Sequence, residues 1–377
     1  METWAAPDSL QGLLQRGRGR GYSLALNAPD AREHVLACIA HDPRWWPQIE
    51  QRGEYLARLV VELEIPVAEL PIDPHDADLL SGIGFPVLVE MSRLGDTSAA
   101  AILHQHLSST TGDDWTWAVD QVWAHAGAAA RDGLRELILS RLHDDELAAA
   151  VTHAPDGPWQ AWSDEPLVAY ALSRAPVPQL PHRPDFTDVT RSELLSAADT
   201  ARGQRGRGAA LRELAARGDL ALLDLAELEA QLGRGDSALT TALLRLGPVT
   251  LPRARSWVTD ADPWLQAVGR DVVAAHGDQS DAPAILEWFD AAVDTGEWCD
   301  TEDLAAGLAR LEHQPALPSL HRAWALTPHS TARLDYLRAL IDLDSPELTE
   351  HLTDATDDCE DDVRDLAHDT CHTLRRT

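Results

Sequence analysis

Residues 265–293 read LQAVGRDVVAAHGDQSDAPAILEWFDAAV, and this stretch decides the fold. Leu265, Val268 and Val272 fall at i, i+3 and i+7, one face of a 3.6-residue helix, and Gly277-Asp278 supplies a stop. A second stripe follows at once, with Ile285, Trp288, Phe289, Ala292 and Val293 at i, i+3, i+4, i+7 and i+8. Two short amphipathic helices joined by a tight turn cannot bury their own apolar faces, so neighbouring pairs must stack on them.

The same rhythm continues towards the C-terminus. Leu304, Leu308 and Leu311 lead to a break at His313-Gln314-Pro315, and Leu317, Leu320 and Trp324 resume the stripe. Leu334, Leu337 and Ile341 then give way to Ser345-Pro346, a cap followed by a first-turn proline. Leu348, Leu352 and Ala355 precede Val363, Leu366, Cys371 and Leu374. Breaks recur about every 30 to 36 residues, a period of helical repeats. Upstream, Gly95-Asp96-x-Ser98 precedes an apolar run much as Gly277-Asp278-x-Ser280 does. Even the β-branched stretch 59–65 reads as helix, because Tyr55, Leu59 and Leu63 keep a four-residue spacing. The expected fold is therefore all-α, an α-solenoid of antiparallel helix pairs. Its expected parts are an N-terminal helical cap over 1–80, first repeats over 81–153, a Pro-rich linker with a short helix over 154–187, and a C-terminal repeat array over 188–377.

The Gly-Asp turns at Gly95, Gly218 and Gly277, with Glu360-Asp361-Asp362-Val363-Arg364-Asp365-Leu366-Ala367, make the chain resemble bacterial HEAT-like repeat proteins, the class that includes phycobilin lyase-type repeats. The last segment is similar to the Asp-x-x-Val-Arg-x-x-Ala core of a HEAT repeat, with its Ala one position early. The resemblance covers about 80–150 and 205–377. It implies architecture and leaves activity open, since HEAT-like solenoids serve as scaffolds, chromophore handlers, hydroxylases and DNA glycosylases. The His-Glu pairs that the iron hydroxylases use as ligands are absent from the 16 histidines.

Composition narrows function further. There are 62 acidic residues against 31 basic ones, every base is Arg, and the net charge is −31. Without Lys, Schiff-base chemistry and phosphate-loop lysines are excluded. A field of this sign repels phosphate backbones, so nucleic acid is disfavoured and a cationic protein or peptide is favoured. The Ala, Arg, Gly and Asp bias points to a high-GC bacterial genome. Neither a signal-like h-region nor an 18-residue apolar run occurs, and Cys38, Cys299, Cys359 and Cys371 are scattered, so a cytoplasmic protein with reduced thiols and no membrane contact is expected.

Four constellations could carry chemistry. Cys359, His368, Cys371 and His372 form a weak zinc set, three of them on one helical face; the ordinary reading is a terminal helix, and no metal or cofactor is expected. Thirteen Trp are an unusual share of the aromatics, and several stand beside acids. An indole face with a neighbouring carboxylate receives ammonium or guanidinium groups. The candidate binding residues are Trp45, Trp46, Trp115 and Trp117 with Asp113 and Asp114, Trp162 with Asp164 and Glu165, and Trp298 with Glu297 and Asp300. Trp123, Trp264, Trp288 and Trp324 read as packing residues on buried stripes.

The Arg-Gly tracts 16–21 and 202–208 are of a kind that can bind RNA or phosphate, but against this net charge they read as mobile loops or N-terminal links that pair with the protein's own acidic face. The carboxylate run 342–369 reads as a solvated end-cap or an electrostatic docking site. No nucleophile elbow appears, and no carboxylate pair stands out by an apolar setting. The leading expectation is a non-enzymatic scaffold that binds a basic protein or peptide on an acidic, Trp-bearing surface. Two alternatives remain: an immunity-type inhibitor that mimics nucleic acid against a basic effector, and a HEAT-like enzyme acting on a small molecule or nucleic acid.

Overall fold

The computed structural model describes residues 4–47, 49–76, 78–109, 114–141, 144–153, 157–174, 186, 188–199 and 206–375. Every regular element among them is helical. The first eleven helices are α1 (Leu10–Gln15), α2 (Gly19–Ala25), α3 (Ala31–Ala40), α4 (Arg52–Glu62), α5 (Gly84–Arg93), α6 (Thr97–Ser109), α7 (Asp114–His125), α8 (Ala128–Arg131), α9 (Leu134–Arg141), α10 (Asp144–His153) and α11 (Pro166–Arg174). There follow α12 (Arg191–Ala198), α13 (Arg207–Ala216), α14 (Ala221–Gln231), α15 (Ser237–Leu246), α16 (Leu251–Trp257), α17 (Pro263–His276), α18 (Ala282–Thr295), α19 (Thr301–Arg310), α20 (Leu317–Leu326) and α21 (Ala332–Asp342). The last two are α22 (Leu348–Ala355) and α23 (Asp361–Leu374). Among the described residues no helix is long and apolar enough to cross a membrane.

The chain divides into two compact units. Unit 1 comprises residues 1–179, 328–331 and 349–377, and unit 2 comprises 180–327 and 332–348. The expected array over 188–377 is thus not one block, because the last 29 residues belong with the N-terminal unit.

Unit 2 is stacked in two layers. Helices α13, α15, α17, α19 and α21 pack each on the next, while α14, α16, α18 and α20 pack against them. The quoted stretch supplies α17 and α18, and its stripe residues Leu265, Val268, Val272, Ile285, Phe289, Ala292 and Val293 are buried, whereas Trp288 is only partly buried, with Arg270 over its ring. Gly307 lets α19 approach α17 closely, since a Cβ there would lie 2.8 Å from the Ala274 carbonyl oxygen. Two repeats end identically, with Glu312 and Asp344 at φ 50° and 48°, a left-handed stop that is unusual outside glycine and asparagine.

Unit 1 has one continuous core running from Leu14 through Ala171 that also includes Cys359. The Arg-Gly tract 16–21, expected as a mobile loop or N-terminal link paired with the protein's own acids, is where this core is tied together. Asp354 on α22 accepts from Arg18 Nε at 2.8 Å and from the Arg20 N–H at 2.6 Å. The Cys359 N–H donates to the Gly17 carbonyl at 2.9 Å. The alternating glycines are steric: a Cβ on Gly17 would sit 2.4 Å from Cys359 Sγ, and one on Gly19 only 1.9 Å from the Asp354 carbonyl oxygen. Gly19→Ala is therefore expected to lower stability by about 1–3 kcal/mol through overpacking, measured as a shift in the urea midpoint; an unshifted midpoint would show that α22 yields freely. Residues 202–205 of the second Arg-Gly tract lie outside the described residues.

The acidic run 342–369 is likewise not wholly a solvated cap. Asp354, Asp358 and Glu360 are buried and turned to internal partners. A terminal segment docked in a core needs its charges satisfied locally: Arg18 and Arg20 donate to Asp354, Ser330 and Gln51 to Glu360, and the Glu360 N–H to Asp358.

Candidate functional site

In unit 1 a groove of about 810 Å³ opens between the segment before α4 and helices α4, α5 and α7, with the first residue of α23 at its edge. Its size falls within the range of ligand clefts. The apolar floor is Phe85, Val89, Pro86 and Leu80, and Trp117 leans over Phe85 with ring centroids 5.7 Å apart. Trp117 keeps 46% of its surface exposed, although it is flanked by buried Trp115 and Ala118.

Helical rotation explains that contrast. On α7, residues 115, 118, 119 and 122 form the buried stripe, and residue 117 stands about 200° from 115. Four carboxylates line the groove: Glu50, Glu54, Glu90 and Asp361. Gly53 allows the approach that puts Glu54 opposite α5, because a Cβ there would lie 2.5 Å from Pro86 Cβ.

The four acids differ in freedom. Glu90 is bound to Arg93, and Asp361 to Arg364. Glu54 lies 3.4 Å from the Arg364 guanidinium and keeps 30% of its side chain exposed. Glu50 is buried. Its Oε1 accepts from the Ser330 N–H at 3.2 Å and lies 3.2 Å from His329 Nδ1, and its Oε2 accepts from the Trp45 N–H at 2.9 Å. Burial pushes its pKa up, but the His329 hydrogen bond, the Arg52 guanidinium and these N–H groups outweigh that and hold the carboxyl below its usual value. Glu50 therefore stays ionised and pins the rim segment that carries the exposed Trp45, Trp46 and Ile49. Trp46 stacks on His329 at 6.3 Å. The lining cation Arg44 is already bound to Asp42.

The candidate tryptophans divide evenly. Trp45, Trp46 and Trp117 are exposed, whereas Trp115, Trp162 and Trp298 are 5%, 5% and 7% exposed and are packing residues. Trp115 donates its indole N–H to the Leu107 carbonyl at 3.1 Å. Trp162 meets Trp123 and Trp159 edge-on, both at 5.6 Å. Trp298 occupies the short turn between α18 and α19. Asp164 and Glu165 bind Arg135, each at 3.1 Å, instead of serving an open indole. Glu297 and Asp300 are exposed in unit 2. Asp113 lies outside the described residues, and Asp114 is described only as the start of α7.

The weak zinc set does not assemble. Cys359 is buried against Gly17 while His368 and His372 are exposed on α23, and among the described residues these four do not come to metal-ligand distance.

Sequence reasoning missed the groove acids Glu54 and Glu90, which no local pattern distinguishes from other surface carboxylates, whereas Asp361 lies in the acidic run 342–369 that was read as an end-cap or docking site. It also missed Asp271 in unit 2. This half-buried carboxyl lines a notch of about 350 Å³ with Asp303, His276, Arg245 and Arg310. Burial, then the carboxylates of Asp303 and Asp300, push its pKa up to about 7. No known protein family, no curated protein and no solved structure matches this chain.

Proposed function

We propose that the chain is a non-enzymatic binding protein of HEAT-like build that holds a basic peptide segment of a partner protein in the unit 1 groove. The observation that carries this reading is the pairing of one exposed indole, Trp117, with a half-free carboxylate, Glu54, over an apolar floor. An aromatic face attracts a guanidinium or ammonium group, and carboxylates at the rim complete its charge. The net charge of −31 adds long-range steering of a cationic partner.

The enzyme alternative finds one observation in its favour, Asp271 poised near neutrality in a notch. A general base also needs a partner that orients it, and among the described residues Asp271 accepts no hydrogen bond. The binding reading is the better supported.

The test is fluorescence anisotropy with a labelled Arg-rich peptide at low salt. Trp117→Ala is expected to weaken binding about tenfold, and Glu54→Gln about threefold to tenfold. Both effects should shrink as ionic strength rises. Affinity unchanged in both variants would overturn the reading.

A further inference from the structure

The rim of the unit 1 groove is a turn, 45–50, that precedes α4 and supplies Pro47, Ile49 and Glu50 to the groove wall. It closes on itself, since the Ile49 and Glu50 N–H groups donate to the Trp46 carbonyl at 3.1 and 3.2 Å. It is tied to the segment 328–331 at the Ser330 N–H, which donates to Glu50, and at the His329 ring, which is buried. Nδ1 of that ring lies 3.2 Å from Glu50 Oε1, and the Trp46 indole stacks on its face with centroids 6.3 Å and planes 28° apart. An ionised carboxylate only accepts, so Nδ1 carries a hydrogen, and Nε2 lies 3.2 Å from the Thr331 hydroxyl oxygen, which can accept a second. A carboxylate at the edge and an indole on the face are surroundings that favour an imidazolium.

Burial opposes a charge on the ring, and the charged groups packed around it favour one. Glu50 is a buried carboxylate, Glu360, reached through Ser330 Oγ, is a second, and Asp358, which accepts from the Glu360 N–H, is a third. Arg52, 3.4 Å from Glu50, is fully buried, while Arg364 is turned to Glu54 and Asp361. Three buried anions thus share one buried guanidinium, and a positive His329 improves the balance. Burial also works against the Glu50 charge, and the His329 hydrogen bond is the largest of the influences that hold it ionised.

We infer that His329 is a positioning residue for the groove: its imidazolium holds Glu50 and Trp46 together and sets the rim 45–50 for the basic peptide, and loss of its proton loosens the rim and weakens binding. The inference rests on the groove reading and adds proton control to it. Its sign is distinctive. Between about pH 5.5 and 8.5 an imidazole titrates and an ordinary carboxylate does not. The exposed His125 on the groove wall would act the other way, repelling a cationic ligand when protonated.

The test uses the full chain labelled with fluorotryptophan, its Trp46 fluorine resonance assigned by loss in Trp46→Phe and followed across that pH range. The resonance should titrate with one proton, stay flat in His329→Gln, and titrate at lower pH in Glu50→Gln, where the anionic partner is gone. A terminally blocked, labelled Arg-rich peptide should bind about fivefold more weakly at the alkaline end, and His329→Gln should abolish that fall. A Trp46 resonance that ignores pH, a titration that survives in His329→Gln, or an affinity that rises with pH would overturn the inference. Titration of Trp46 through His329 with no peptide bound at any pH would support the proton-held rim and overturn the groove reading instead.

Discussion

Asp354→Ala is expected to lower the stability of unit 1 by about 3–5 kcal/mol, the cost of breaking a buried ion pair from one side. Each side chain of the Arg18–Asp354 pair is only 8% exposed, so water cannot replace the missing carboxylate. The same substitution removes the acceptor of the Arg20 N–H. Urea unfolding followed by tryptophan fluorescence reads the effect, because Trp159 and Trp162 lie in the affected core. The companion double variant Arg18→Met with Asp354→Leu should recover much of the loss, since an apolar pair of similar volume imposes no desolvation cost. The resulting cycle isolates the pair. A loss below about 1 kcal/mol would mean that the contact is solvent-screened and that α22 is held by its apolar face alone.

This pair also shows where local reading ends. The tract Arg16-Gly17-Arg18-Gly19-Arg20-Gly21 carries the composition of a flexible segment, yet its glycines are there because Cys359 and Asp354 approach from the other end of the chain. Two residues 336 positions apart form the contact, and no periodicity links them. The helices of α17 and α18 were legible because burial of one face imposes a 3.6-residue spacing on the chain itself. The breaks after α19 and α21 were legible from Pro315 and Ser345-Pro346, but the left-handed backbone at Glu312 and Asp344 was not, since such a residue without glycine is set by its surroundings.

The tryptophans fall between these cases. Two residues of rotation on α7 place Trp117 over the groove and Trp115 in the core, a difference that depends on where the helix begins. Acidic neighbours in sequence did not mark a binding indole; Trp162 beside Asp164 and Glu165 is a core residue whose adjacent acids bind Arg135. Glu50 shows the converse. Nothing near it predicts a buried anion, because its partners His329 and Ser330 come from the short segment 328–331.

Asp271→Asn is expected to stabilise the chain by about 2 kcal/mol at pH 8 and to change nothing at pH 4. The folded protein holds the Asp271 proton up to about pH 7, whereas the unfolded chain releases it near 3.8. Between those values the native state binds more protons, so stability falls as pH rises, and above about 7 the full cost of the buried charge is present. The groups facing it are Asp303 and Asp300, which add to the cost, with Arg270 opposing them and Arg245, Arg310 and His276 around the notch. The neutral amide escapes the repulsion. Urea midpoints of the two proteins should therefore coincide near pH 4, separate progressively between about pH 4 and 7 and keep their full separation above, and a constant separation across that range would show that Asp271 is not held neutral.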